Sequence, residues 1–192
     1  MLLAGSLRHV SQEELIKGCL AGNTVYQKAI YDHISAKMFG VCLRYASDYH
    51  TAEDILQEGF IKIFKNLNKF RGDGSFEGWA RRIIVNTAIE FYRKKVYVQP
   101  IEDKDNHKYG YAYEDVVSEM SAKEIMEAVQ QLAPGYRTIF NLYVIEGYNH
   151  REIGELLGIN EGTSKSQLAR ARKILMKEIM TNKKVTLTES ER

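Results

Sequence analysis

Apolar residues recur along this chain at spacings of three and four, the period of helices that bury one face. Ser11 with Glu14 reads as a capping box, and Leu15, Ile16, Cys19 and Leu20 form the stripe of a short helix ending near Gly22. Asn23 can cap a second helix to about Ala46, with Tyr26, Ile30, Ile34, Met38, Val41 and Tyr45 on its inner side. Thr51 is placed to cap a third, Ala52 to about Leu67. There Ile55, Leu56, Phe60, Ile63, Phe64 and Leu67 turn inward while Asp54, Gln57, Glu58, Lys62 and Lys65 point out. The glycines of the stretch Phe70 to Ser75 mark a loop. A fourth helix from about Phe76 to Lys95 buries Ala80, Ile83, Ile84, Thr87 and Phe91. Its outer face carries Arg82, Asn86, Glu90 and Arg93 at spacings of four, four and three.

Beyond residue 96 the pattern lapses. Val96 to Val98 is too short for a strand, and Pro100 with the Asp, Asn and Gly that follow reads as a linker through about Val117. Tyr97, Tyr109, Tyr111 and Tyr113 give that linker the means to dock instead of float. Helical spacing resumes from about Ser118 to Leu132. Pro134 suits a first helical position, and Ile139, Phe140, Leu142, Tyr143 and Ile145 make the next helix up to Gly147. Thr181 to Arg192 reads as a polar, frayed tail.

The stretch between, Asn149 to Lys177, carries the most specific local signal. Asn149 and Glu152 form a second capping box, Ile153, Leu156 and Leu157 repeat at helical spacing, and Gly158 follows where a left-handed residue ends a helix. Asn160 can cap again at once. The next helix sets Leu168, Ala171 and Leu175 on its apolar stripe, with Ile174 and Ile179 beside them. Its other faces carry Lys165, Gln167, Arg170, Arg172, Lys173 and Lys177. Two helices joined by a short glycine turn, the second one basic, predict a helix-turn-helix. Its cations would neutralise phosphates, and early polar residues such as Thr163 and Ser166 would face base edges. The expected fold is therefore all-α. Two small helical bundles, residues 10–95 and 118–180, are joined by a flexible acidic linker, 96–117, and the second bundle contains the helix-turn-helix.

Charge sharpens this picture more than composition does. The net charge of +2 hides a strong segregation. Residues 81–95 hold five cations against one acid, residues 161–184 seven against two, and residues 96–132 eight acids against three lysines. Two basic segments flanking an acidic one predict two nucleic-acid surfaces and a tether. Cys19 and Cys42 stand among apolar neighbours and read as buried free thiols. No apolar run approaches the ~20 residues that span a bilayer. The start Met1 to Ala4 lacks the charged flank and apolar core of a signal peptide, so the expected place of work is the cytoplasm, with no membrane insertion.

Two longer stretches resemble one family. The segment AEDILQEGFIKIFKNLNKFRGDGSFEGWARRIIVNTAIEFYRKK resembles region 2 of bacterial sigma factors of the extracytoplasmic-function type. LAPGYRTIFNLYVIEGYNHREIGELLGINEGTSKSQLARARKIL resembles region 4 of the same family. The resemblance covers about residues 10 to 180, with both halves in the family's order. It implies a transcription initiation factor, not an enzyme, that binds core RNA polymerase and directs it to specific promoters. The helix Ala52 to Lys65 would dock on the clamp helices of the polymerase's largest subunit through Asp54, Gln57 and Glu58. The loop Arg71 to Glu77 would open the minus-ten element and hold an unstacked base, which brings in Arg71, Asp73 and Ser75. Arg81, Arg82, Arg93 and Lys94 would track phosphates there, and Asn86 would bond a base edge. Trp79 reads as core.

The helix Asn160 to Lys177 would read the minus-thirty-five element through Thr163, Lys165, Ser166, Gln167, Arg170, Arg172 and Lys173. The family's usual Gly-Thr-Val-Lys-Ser-Arg-Leu is here Gly162-Thr163-Ser164-Lys165-Ser166-Gln167-Leu168. Ser164 falls on the buried stripe, where its hydroxyl is expected to bond a carbonyl one turn earlier. Gln167 in place of arginine shifts the expected base preference toward adenine. The implied partners are core RNA polymerase, promoter DNA and an anti-sigma factor, with no cofactor and no metal.

Two other classes fit less of the chain. A metal enzyme would draw on His50, Glu53, Asp54 and Glu58, but no second segment supplies converging ligands. No nucleophile elbow, phosphate-binding glycine loop or cysteine pair at ligand spacing is present. A stand-alone helix-turn-helix regulator would account for the second half alone. It leaves the basic helix 76–95 unexplained and lacks an effector or receiver domain.

Overall fold

A computed structural model of the chain describes the backbone of residues 11–98 and 122–190 and the side chains of 11–94 and 126–179. Every regular element among the described residues is helical. The chain divides into two compact units, Met1–Ala88 and Ile89–Arg192. The acidic linker lies, from residue 99 to its end, outside the described residues.

The first unit begins with α1 (Gln12–Leu20), whose capping box is formed: the Glu14 amide donates to Ser11 Oγ, and the Ser11 amide to the Glu14 carboxylate at 3.0 Å. Only part of the expected stripe is buried, since Leu20 at the helix end remains 52% exposed. Next, α2 (Thr24–Tyr45) is capped by Asn23, which accepts from the Val25 amide at 2.9 Å. Its buried face is Ile30, Ile34, Met38, Val41, Cys42 and Tyr45. The helix α3 (Tyr49–Lys65) starts earlier than Thr51 would place it. Asp48 is the cap, its carboxylate accepting from the Thr51 amide at 2.7 Å. Both residue types favour caps, but the carboxylate also meets the positive end of the helix dipole. Asp48→Ala should therefore cost about 1 kcal/mol of stability, while Thr51→Ala should change the melting temperature of the full chain far less; equal losses would restore Thr51 as the cap.

A 3₁₀ turn, Leu67–Lys69, leads into the loop and then α4 (Phe76–Val98). This helix outlasts Lys95, so Val96 to Val98 are helical. Ala80, Ile84, Val85, Ala88 and Ile89 are buried along it. It crosses α3 closely enough that a Cβ on Gly59 would overlap the Ile84 side chain. Cys19 and Cys42 are buried free thiols, and burial pushes them up to about 11 and about 12. They stay protonated and unreactive near neutral pH.

The second unit takes in α4 from Ile89 onward and then includes α5 (Ala122–Gln131) and α6 (Pro134–Phe140), which has Pro134 in its first turn as expected. The helix expected to continue to Gly147 changes character at Asn141. Asn141–Ile145 form a π-helical turn closed by Glu146 N–H donating to Asn141 C=O, five residues back. The helix α7 (His150–Leu157) and the long α8 (Glu161–Ser190) follow. The expected tail is thus helical to Ser190; no proline or glycine after Gly162 interrupts it. Ala128, Val129 and Leu132 pack with Ala171 and Leu175 as the core, flanked by Tyr136 and Phe140. The fully buried Leu142 and Ile153 add to the unit's apolar interior. Arg137 is almost fully buried in α6 and donates from Nη1 to the Gln130 carbonyl at 2.8 Å, covering an orphan acceptor near the end of α5.

Candidate nucleic-acid interface

The helix-turn-helix is built by its local chemistry. Asn149 accepts from the Glu152 amide at 2.9 Å, and the Glu152 carboxylate takes the Asn149 N–H at 2.8 Å. Gly158 closes α7 at φ 70°, a left-handed conformation that glycine enters without Cβ strain. Two residues on, Asn160 caps α8 by accepting from the Thr163 amide at 2.7 Å. Ile153 and Leu157 on α7 and Leu168, Ala171, Leu175 and Ile179 on α8 are buried. Ile174, expected beside that stripe, is 37% exposed.

The expected contact residues occupy different environments along α8. Lys165, Ser166 and Lys173 are exposed, while Thr163, Arg170 and Arg172 are half-buried. Lys165 pairs with Glu161 at 2.6 Å, one turn earlier. That bond and the lysine charge hold the Glu161 carboxyl below its ordinary value. The Arg172 guanidinium lies 5.7 Å over the Tyr143 ring. Gln167 is half-buried, and its Oε1 is enclosed without a hydrogen-bond partner. An enclosed acceptor of this kind is costly.

Ser164 is fully buried, as its place on the stripe requires, but its hydroxyl does not bond back along its own helix. It shares a hydrogen bond of 3.0 Å with Nδ1 of His150, fourteen residues earlier at the start of α7. The His150 ring in turn stacks on Tyr143 with centroids 4.4 Å apart and planes 23° apart. Desolvation first, then the Lys165 and Arg172 charges, hold His150 below the ordinary histidine value, against an upward pull from Glu161. Sequence reasoning missed His150. Its one signal is a polar Ser164 on an otherwise apolar stripe, which demands a buried partner.

In the first unit, Arg71, Asp73 and Ser75 are exposed on a loop whose Gly72 and Gly74 both take positive φ. Ser75 has a structural duty as well, accepting from the Gly78 amide at 3.0 Å to cap α4. Trp79 packs with Phe70 and Phe76 at 5.5 and 5.6 Å between centroids, an aromatic cluster behind the loop. Arg82, Asn86, Glu90, Arg93 and Lys94 are exposed along α4, and Arg81 is half-buried.

On α3, Asp54 and Gln57 are exposed, and half-buried Glu58 lies 3.8 Å from Lys62. Beside them α2 and α3 enclose an open groove of about 650 Å³, which Gln57 and Glu53 line together with aromatic and aliphatic side chains. Tyr31, Tyr49 and Ile61 are exposed there by 41%, 61% and 40%. The sequence pattern had assigned none of these three to a surface role. Among the described residues no group of three or more His, Cys, Asp or Glu could hold a metal ion. Nor is any helix among them long and apolar enough to cross a membrane.

Comparison with known proteins matches both halves. The family Sigma-70 region 2 matches residues 30–96, and Sigma-70, region 4 matches residues 122–175. The chain is 32% identical over 168 residues to the ECF RNA polymerase sigma factor SigW of Bacillus subtilis, covering 78% of this chain and 87% of that protein. It is 30% identical over 161 residues to the RNA polymerase sigma-H factor of Pseudomonas aeruginosa, covering 78% and 82%. The ECF RNA polymerase sigma-E factor of Haemophilus influenzae is 26% identical over 182 residues, covering 88% and 96%. Among solved structures, the sigma factor RpoE in complex with the anti-sigma factor NepR from Bartonella quintana aligns at a TM-score of 0.46 and 20% identity. That alignment covers 80% of this chain and 96% of that one.

Proposed function

The chain belongs to the extracytoplasmic-function RNA polymerase sigma factors, and from that premise we propose how its two halves divide the work of promoter recognition. Residues 10–95 bind core polymerase and melt the upstream edge of the bubble at the minus-ten element. Residues 118–180 hold the duplex at the minus-thirty-five element, and residues 96–117 tether the two. The observation that carries this reading is a capped helix-turn-helix whose second helix is strongly cationic, following a region 2 in the family's order.

Each surface suits its role. The exposed cations of α8 can neutralise phosphates, and Gln167 would relieve its enclosed Oε1 by turning to a base edge or a bound water. The loop Arg71 to Ser75 offers polar side chains on a backbone already bent by two glycines, a fit for a flipped base. Asp54, Gln57 and Glu58 form the edge of the polymerase contact, and the neighbouring Tyr31, Tyr49 and Ile61 supply the apolar area that a protein interface concentrates at its centre. Promoter DNA and the clamp helices of the polymerase are the partners. An anti-sigma factor would act by covering one of these surfaces. The work is done in the cytoplasm, where polymerase is, and any bond-making belongs to polymerase.

Run-off transcription on genomic fragments with purified core polymerase tests the reading. Specific transcripts that need this chain are expected. A chain that neither binds core polymerase nor adds transcripts, yet still footprints DNA alone, would be a stand-alone regulator instead. Asp54→Lys with Gln57→Arg should weaken assembly with core polymerase at least about tenfold by putting two cations on the contact. The same variant should keep the melting temperature of the parent. Unchanged assembly would move the polymerase contact elsewhere.

A further inference from the structure

We propose that His150 is a positioning residue of promoter recognition: through Ser164 it fixes the roll of α8 and so decides which side chains that helix presents to the duplex. The inference rests on the sigma reading above and deepens it. An apolar contact between two helices sets their separation and tolerates some rotation, because dispersion has no preferred direction. A hydrogen bond does not. Here the contact is the 3.0 Å bond between His150 Nδ1 and Ser164 Oγ, made by a serine with no exposed surface. Ser164 stands immediately before Lys165, in the part of α8 where the expected base and phosphate contacts begin. A few degrees of roll at Ser164 therefore displaces the tips of Lys165, Ser166 and Gln167 by an appreciable part of a hydrogen-bond length.

The histidine is itself held. Its ring is stacked on Tyr143 of the π-helical turn, and that same Tyr143 ring carries Arg172, about two helical turns further along α8. Three segments that are separate in sequence thus meet around one ring pair, and α8 is tied at two heights. The π-helical turn gives this arrangement a reason. Tyr143 sits within that turn, and such turns are frequent at functional sites.

The charged groups facing the imidazole are Glu161, Lys165 and Arg172 from α8, the neutral Tyr143 ring of the π-helical turn stacks on it, and Arg151 is the cation on its own helix. The balance holds His150 below the ordinary histidine value, so the folded chain prefers the neutral ring. In the unfolded chain the ring takes a proton at the ordinary value, so the unfolded state binds more protons between the two values. This contribution to stability is complete above the ordinary value, near pH 6.5. It is lost as pH falls below that value toward the folded one. His150→Phe, which keeps the stacked ring but not its nitrogens, should remove that part of the acid dependence of melting.

The deciding experiment uses the full chain assembled with core polymerase and a promoter fragment selected by run-off transcription. It compares that fragment with one altered in the minus-thirty-five element. His150→Phe and Ser164→Ala should each lower the ratio of transcription between the two fragments about three- to tenfold, the loss of one oriented hydrogen bond. The double variant should lose no more than either alone, because both remove the same bond. Binding to core polymerase should not change. Additive losses or an unchanged ratio would overturn the proposal and leave His150 as ordinary packing. Failure of the parent chain to select any promoter would overturn the sigma reading and this inference together.

Discussion

Ile153→Ala is expected to cost about 2–5 kcal/mol, a large fraction of what a small helical unit has in hand. Ile153 has no exposed surface and sits mid-way along α7, where the helix packs against α8. Truncation removes buried methyl and methylene groups and leaves a cavity that the helix caps cannot refill. The loss should appear as faster amide exchange along α7 and α8 in the full chain and as weakened promoter binding. Val144, 45% exposed on the neighbouring π-helical turn, supplies the contrast. Val144→Ala should leave exchange at α7 nearly unchanged. If the two substitutions behaved alike, burial at Ile153 would not be what holds the helix-turn-helix together.

Helix ends were the most legible part of the chain where a single residue type had no local rival. Ser11 with Glu14, Asn23, Pro134, Asn149 with Glu152, Gly158 and Asn160 all sit where their chemistry places them. Where two capping types lay three residues apart, spacing could not choose, and Asp48 displaced Thr51. The stripe also over-reached at its margins. Leu20 and Ile174 share the helical period with buried neighbours, yet they lie at the border of the face, where nothing covers them.

Other features were hidden for a tertiary reason. A π-helical turn adds one residue to a turn and needs no distinctive residue type, so Asn141–Ile145 reads as plain helix. The partner of Ser164 is fourteen positions away across a turn, and no local rule nominates it. The groove of α2 and α3 was half visible. Asp54, Gln57 and Glu58 stood out as a polar face, while Tyr31, Tyr49 and Ile61 fell on neither the apolar stripe nor that face and drew no reading. Trp79 reads as core, and Phe70 and Phe76 cover the ring. Family resemblance supplied an expectation that periodicity could not, namely that the basic helices 76–95 and 160–177 would serve one promoter.

The largest functional effect is expected from removing charge on α8 without disturbing its fold. Lys165, Arg170 and Lys173 together become glutamine, a residue of nearly equal helix propensity that keeps most of each stem. Each cation that neutralises a phosphate releases a counterion, so losing three should make the plot of log affinity against log salt shallower by about 2.7. Near ~0.1 M salt that corresponds to a loss of about two to three orders of magnitude in promoter affinity. The cost to folding is small by comparison. Lys165 gives up its bond to Glu161, a half-exposed pair one turn apart, which contributes a few tenths of a kcal/mol at most. Glu161 then loses its bonded partner and keeps only the more distant Arg151 charge, which adds to the loss. Affinity measured with reconstituted holoenzyme between low and moderate salt checks both quantities at once. A large drop with the parent's slope would mean that these side chains act through the protein instead of through phosphates. An unchanged affinity would mean that α8 does not enter the groove.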